Sequence, residues 1–195
     1  MIWVIYLMQT AMFLRAFLGD RNVASVTPTF LKAVMKVCDG INFGQDNIFL
    51  EYGPGTGAFS RHILRNMTQD SYLLAIERNR EFADYLSHFK DERFHVVNGF
   101  AEDVKDILIS AGISGVDYVV SGIPLSFLQP ESRMRLISDT RQVLNPGGKF
   151  IICQSAFCNS SKSSDLPLCL FFEKIRRKYV RFNIPPLVVY EASYL

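Results

Sequence analysis

The residues with the most chemical potential are two glutamates and a cluster of glycines. Glu51-Tyr52-Gly53-Pro54-Gly55-Thr56-Gly57 follows the apolar stretch Asn47 to Leu50 and precedes Ala58 to Met67. In that second stretch Phe59, Ile63, Leu64 and Met67 recur at helical spacing, so the glycines are expected in a strand-to-helix turn. Glycine there permits positive φ and lets a ligand approach bare backbone. The helix that follows would turn unpaired N–H groups toward an anionic group. Glu77 ends the next apolar run, Leu73 to Ile76. It lies roughly 20 residues past the glycines, where a carboxylate can accept hydrogen bonds from ribose hydroxyls.

These residues need a scaffold that brings them together, and the pattern along the chain supplies one. Thr27-Pro28 reads as an N-cap and first helical residue, with Phe30, Leu31, Val34 and Met35 on one face of a helix ending near Gly40. Asn79 is placed to cap a helix whose Phe82, Leu86 and Phe89 face a sheet. Phe94 to Val97 is a third strand, followed by Asn98 to Asp103 and a helix with Val104, Ile107 and Leu108 inward. Asp117 to Ser121 is a fourth strand. Pro130 to Leu144 is a helix stopped by Asn145-Pro146-Gly147-Gly148, and Lys149 to Cys153 is a fifth strand. Strand and helix alternate, so the class is α/β with a mostly parallel sheet and helices on both faces. Tyr179 to Ile184 and Leu187 to Glu191 flank Pro185-Pro186 and read as an antiparallel hairpin that brings the sheet to seven strands. Such a sheet collects the carboxyl ends of its parallel strands on one edge. Glu51 to Gly57, Glu77, Gly99 to Glu102 and Ser121 to Pro124 then meet in one crevice.

The totals narrow the function. With 195 residues, 49% hydrophobic and 21% charged, the chain fits one globular domain. A net charge of +2 argues against wholesale nucleic-acid binding. Cys38, Cys153, Cys158 and Cys169 form no Cys-x-x-Cys pair, and His62, His88 and His95 show no ligand spacing. Neither a disulfide framework nor a metal site is expected. Met1 to Leu14 carries no charge. It is shorter than the roughly 20 apolar residues of a spanning helix and lacks signal-peptide features. It reads either as a helix buried against the domain or as one lying in a membrane interface, with Trp3 and Tyr6 at headgroup depth. Asn159 to Asp165 is a polar loop and a candidate lid. Lys174, Arg176, Arg177, Lys178 and Arg181 form a basic run, either a solvated face or an attraction to anionic lipid or phosphate.

The Gly-x-Gly-x-Gly spacing, with Glu51 two residues ahead, differs from the dinucleotide fingerprint Gly-x-Gly-x-x-Gly. It resembles the first motif of class I S-adenosylmethionine-dependent methyltransferases, whose Rossmann-like fold matches the expected architecture. Within that class the chain resembles the bacterial phospholipid N-methyltransferases over nearly its full length. The resemblance rests on Phe13 to Leu18, Ser25 to Thr29, Leu50 to Gly57, Val120-Ser121-Gly122-Ile123-Pro124-Leu125 and Asn183-Ile184-Pro185-Pro186. A more distant likeness is to the ribosomal RNA adenine dimethylases.

The resemblance implies S-adenosyl-L-methionine as cofactor, held by Glu51, Gly53, Pro54, Gly55, Thr56, Gly57, Glu77, Arg78, Phe100, Ala101, Glu102 and Ser121. Gly122, Ile123 and Pro124 would meet the substrate. Gly99-Phe100-Ala101 stands where such enzymes commonly carry Gly-Asp-Ala, so Phe100 would pack on adenine while Glu102 or Asp103 takes over the acid's role. No catalytic base is assigned. The expected reaction is stepwise N-methylation of phosphatidylethanolamine and its partly methylated forms, at an anionic membrane surface on the cytoplasmic face. The alternative is an RNA adenine or small-molecule methyltransferase. Against RNA, Ser121-Gly122 replaces the amide and Leu125 the aromatic ring with which adenine methyltransferases grip a flipped base. An aromatic ring at the crevice would favour a quaternary ammonium product; Tyr52 either serves there or packs behind the loop. Residues 1–26 are expected as an N-terminal helix and 27–195 as the methyltransferase domain.

Overall fold

A computed structural model describes residues 29–123, 125, 128–156 and 166–195. The expected N-terminal helix, the Thr27-Pro28 cap, Pro124 and the polar stretch Asn159 to Asp165 lie outside the described residues.

The apolar runs pair into one seven-stranded sheet. β1 (Ile48–Tyr52), β2 (Tyr72–Glu77), β3 (Phe94–Asn98), β4 (Val116–Ser121) and β5 (Leu144–Ser155) are parallel. β6 (Lys174–Val180) and β7 (Leu187–Ser193) form the antiparallel hairpin, β7 pairing with β5. The spatial order is β3-β2-β1-β4-β5-β7-β6. Strand order reverses between β1 and β4, which opens a crevice at their carboxyl ends.

Both faces of the sheet are covered, which is why the central strands read as unbroken apolar runs. Along β1, side chains alternate between two cores. Phe49 packs among α1 (Leu31–Val37) and α2 (Ala58–Asn66) through Ala33, Val34, Val37, Phe59 and Ile63. Leu50 and Tyr52 pack on the opposite face, with α4 (Val104–Ser110) and α5 (Pro130–Val143) supplying Val104, Leu108, Leu136 and Ile137. α3 (Arg80–Leu86) follows β2, and the short α6 (Leu166–Cys169) precedes β6. Asn79 caps α3 as expected, accepting the Phe82 N–H at 3.2 Å.

Three expectations need correction. The buried face of α1 is Ala33, Val34 and Val37, not Phe30, Leu31 and Met35, which are exposed. Ala33, Val34 and Val37 share one face that joins the core with Phe49, Phe59 and Ile63, which leaves the larger side chains on the solvent side. β6 begins at Lys174 and ends at Val180, so the basic run is itself the edge strand and residues 181–186 form the turn. An edge strand buries little of its surface, so charge at alternate positions replaces the apolar signal that normally marks a strand. Finally, Asn145 to Gly148 belongs to the start of β5 rather than to a separate stop, with a register shift against β4 between Val116 and Tyr118.

Candidate active site

The glycine loop turns sharply between β1 and α2. Gly53, Gly55 and Gly57 have φ of 64°, 57° and 79°, the left-handed region that side chains resist. A Cβ on Gly57 would lie 2.7 Å from Leu86 Cδ2, so the loop also needs glycine for its close packing on α3. The Gly53 N–H donates to Ile76 O at 2.9 Å, continuing the pairing of β1 with β2 past its end.

Backbone and carboxylate bonds then join the four expected segments. Glu77 Oε2 accepts the Gly55 N–H at 2.9 Å, and its Oε1 accepts the Asn79 N–H at 2.8 Å. The Gly99 N–H donates to Glu77 O at 3.1 Å, which brings in the loop after β3. The Gly122 N–H donates to Tyr52 O at 2.9 Å, which brings in the loop after β4. Gly122 is required here, because its Cβ would meet Gly53 O at 2.9 Å. Ser121 is buried, and its Oγ accepts the Ile123 N–H at 3.2 Å. Ile123 faces Gly53. Ala101 is buried, Glu102 is half-buried, Arg78 is exposed and Phe100 is 54% exposed beside the crevice. Pro54, Gly55 and Thr56 are buried within the loop.

The two glutamates sit in different surroundings. Glu51 points between the sheet and α2, fully buried, with Oε2 accepting the Ser60 Oγ–H at 2.6 Å. Burial pushes its carboxyl up to about 8, against the pull of the Ser60 hydrogen bond; the nearby Glu77 adds to the rise. Its Oε1 has no partner. Burial also raises Glu77, opposed by the N–H groups of Asn79 and Gly55. Tyr52, weighed as a crevice aromatic, belongs to the core: its hydroxyl bonds to Thr140 Oγ1 at 3.1 Å, and its ring meets Phe150 edge-on.

Two positioning residues escape a reading of the motifs. Arg61 donates through Nη1 to Thr56 O at 2.5 Å and Gly57 O at 3.2 Å, and through Nη2 to the Tyr85 hydroxyl at 2.8 Å. It thereby pins the glycine loop to α3, with its guanidinium 4.5 Å from the Phe89 ring centroid. Asn98 Nδ2 donates to the carbonyls of Glu77 and Arg78 at 2.8 and 3.0 Å, fixing the exit of β2. The available signals are the position of Arg61 one turn after Gly57 and of Asn98 at a strand end before glycine.

The order of the strands, the switch point at β1/β4 and the bond between the glycine loop and the acid of β2 shape a ligand crevice at the carboxyl edge of a doubly wound sheet. A family model described as a methyltransferase domain matches residues 50–152. The chain belongs to this methyltransferase family. It is S-adenosylmethionine-dependent and of class I.

Among curated relatives, the methyltransferase is 27% identical over 176 residues to an ornithine lipid N-methyltransferase of Singulisphaera acidiphila, covering 86% of each chain. A local match, 32% identical over 83 residues, is to the ribosomal RNA small subunit methyltransferase H of Shewanella frigidimarina; it covers 40% of this chain and 26% of that protein. Among solved structures, the Burkholderia thailandensis 1,6-didemethyltoxoflavin-N1-methyltransferase, bound to 1,6-didemethyltoxoflavin and S-adenosylhomocysteine, superposes with a TM-score of 0.68. At 15% identity over 95% of this chain and 86% of that one, it shows a shared fold.

The residues present fit the cofactor. The Glu77 carboxylate accepts backbone N–H groups, those of Gly55 and Asn79 among them, and has about four acceptor sites, which leaves capacity for a hydroxyl donor. The loop offers bare backbone at Gly53, Gly55 and Gly57, and Glu51 Oε1 is a buried polar atom without a partner. Among the described residues, no group of three or more His, Cys, Asp or Glu could hold a metal ion, and no helix is long and apolar enough to cross a membrane.

Proposed function

We propose that this methyltransferase N-methylates an amine-bearing membrane lipid, with phosphatidylethanolamine and its partly methylated derivatives as acceptors. The observation that carries this reading is the match to a lipid N-methyltransferase across 86% of both chains. The loop after β4 supports it. Ser121 Oγ is occupied by Ile123, and Leu125 is buried in the core, so neither resembles the polar grip and stacking ring that a flipped base requires.

When bound, S-adenosylmethionine supplies a methyl group activated for transfer to a nucleophile. The chain's part is alignment and exclusion of water. Glu77 would hold the ribose hydroxyls, with Asn98 and Asn79 fixing its strand end. Gly53 to Gly57 and Glu51 would hold the methionine portion, and Phe100, Ala101 and Glu102 the adenine, with Arg78 and Ser121 completing the set. Gly122, Ile123 and Pro124 are the residues proposed to meet the acceptor amine. The proposed location is peripheral, at an anionic membrane surface on the cytoplasmic side.

Ornithine lipid is the second acceptor to test, because the relative that spans most of the chain is named for it. Both lipids present a primary amine. The experiment incubates the purified protein with radiolabelled S-adenosylmethionine and, in separate reactions, phosphatidylethanolamine vesicles, ornithine-lipid vesicles and total RNA. Label in phosphatidylethanolamine is expected. Label confined to ornithine lipid moves the proposal to that acceptor, and label in RNA alone refutes lipid methylation.

A further inference from the structure

The turn between β6 and β7 inverts the usual arrangement of a surface loop. Its polar residue, Asn183, is buried, while Phe182 and Ile184 on either side of it are 66% and 74% exposed. The inversion is held by hydrogen bonds. Asn183 Nδ2 donates to Pro185 O at 2.9 Å, and Asn183 Oδ1 accepts the N–H of Phe30, ahead of α1, at 3.0 Å. Leu31, 59% exposed, lies at the start of the same helix, and Tyr179, 62% exposed, ends the β6 approach to the turn. Large apolar side chains gathered at one exposed turn and held there by a buried amide are the kind of patch that marks an interaction surface.

The position of this turn is as informative as its composition. Val180 and Leu187 pair at its base, and Leu187 also pairs with Ser155 at the end of β5. The Ala156 N–H donates to Pro186 O at 2.8 Å. The turn therefore stands on the carboxyl edge, the same edge as the crevice. Ser121 pairs with Ile152, and β5 runs on through Cys153 and Gln154 to Ser155. At 3.3 Å per residue the rim at β5 rises about 10 Å above the end of β4. Three strand spacings separate β4 from β6 in the sheet order, a lateral distance of about 14 Å. The turn therefore projects beyond the end of β4 on the edge at which the crevice opens.

The charge around the turn names the partner. From Lys174 to Tyr190 there are five basic residues, Lys174, Arg176, Arg177, Lys178 and Arg181, and no acidic one, although Lys178 is ion-paired to Asp39 and Arg176 lies opposite Glu191. Arg181 is exposed and makes no ion pair among the described residues, and Lys32 is exposed beside Leu31. Charge on an edge strand also discourages pairing with another sheet, which accounts for Lys174 and Arg176. It does not account for apolar side chains at the tip. Apolar tips within a basic field suit the headgroup boundary of an anionic bilayer, where Tyr179 can place its hydroxyl.

We infer that the β6–β7 turn, with Phe182 and Ile184 as its inserted side chains and Arg181 and Lys32 beside them, docks the enzyme on anionic membrane and sets the crevice mouth against the lipid headgroups. The inference rests on the reading of the substrate as a membrane lipid.

The test uses the full chain and the double variant F182S/I184S. Binding is measured by co-sedimentation with phosphatidylethanolamine–phosphatidylglycerol vesicles and with phosphatidylethanolamine–phosphatidylcholine vesicles. Methyl transfer is measured on the anionic vesicles and on phosphatidylethanolamine dispersed in detergent micelles. Loss of two inserted apolar side chains should weaken binding to anionic vesicles by about tenfold or more, with a parallel loss of vesicle methylation. Micelle activity should stay within about twofold, since delivery no longer depends on docking. Unchanged vesicle binding by the double variant overturns the inference, including when the variant instead alters self-association in analytical ultracentrifugation. Equal loss in micelles and vesicles overturns it too, because the turn would then act within the site. Vesicle binding that depends on Phe182 and Ile184 without lipid methylation by the wild type upholds the surface and refutes the substrate.

Discussion

Glu51 and Glu77 carry the same functional group on neighbouring strands, yet their surroundings assign them different work. Glu77 lies at the strand end, tied to Gly55 and Asn79, with capacity left for hydroxyl donors. Glu51 lies beneath α2, where its carboxyl accepts the Ser60 hydroxyl. Its carboxyl is raised from 4.5 to about 8, so at neutral pH the folded protein holds a proton that the unfolded chain releases. Stability from this group is fully present below 4.5, declines as pH rises and is lost once pH passes about 8. Its contribution to the slope is up to about 1.4 kcal/mol per pH unit. E51Q mimics the protonated acid and does not titrate. Urea denaturation of E51Q across pH 5 to 8 should follow a shallower decline, with the remainder owed in part to Glu77, which burial also raises. Parallel curves for the two proteins would show that Glu51 ionises in the folded state as freely as in the unfolded chain.

At the scale of elements, the glycine loop and α3 form one packed unit. Arg61 reaches from α2 to the loop carbonyls and to Tyr85, and Gly57 lies against Leu86 and Phe89. Two glycines of like backbone separate strain from packing. Gly112 has φ of 72° with nothing within 4 Å of an added Cβ, whereas at Gly57 the φ is 79° and the Cβ collides with Leu86. G112A should cost about 1 kcal/mol, the penalty of a left-handed side chain. G57A should cost about 3 kcal/mol, because overpacking is added to it. Equal shifts in denaturation midpoint would mean that the loop yields without cost. The legibility of this unit was uneven. The turn and the Asn79 cap were readable from local chemistry, since glycine spacing and a side chain three residues ahead of a buried one are sequence-local. The loop's attachment to Arg61 was not, because a basic residue in a helix has many equally good partners until the neighbouring helix is placed.

Charge in the molecule as a whole is unevenly distributed. A net charge of +2 conceals an edge strand with five basic residues in and just beyond it, balanced by acids elsewhere. The expected consequence is selective sensitivity to salt. Raising salt from 0.1 M to 1 M shortens the screening length from about 10 Å to about 3 Å, which should weaken vesicle binding by at least about tenfold. Cofactor affinity, set by short contacts within the crevice, should change by less than about twofold over the same range. Calorimetry of S-adenosylmethionine binding alongside vesicle co-sedimentation checks both. Equal salt dependence in the two would place the basic strand in the service of the cofactor rather than of a surface.

The amino-acid sequence by itself determined the alternation of strand and helix, the class of the sheet, the glycine turn and the acid that answers it from the next strand. These depend on periodicity and backbone chemistry within a few residues, and the burial of the central parallel strands on both faces makes their apolar runs unmistakable. Tertiary structure decided what needed distant partners. It sent Tyr52 into the core with Thr140 and buried Glu51 under Ser60. It turned α1 on its Ala33 side and moved the sixth strand back onto the basic run, where an edge position lets charge stand in for apolar side chains. It also reversed the sides of the β6–β7 turn: Asn183 went inward because Phe30, distant in sequence, offers an N–H that no local pattern announces.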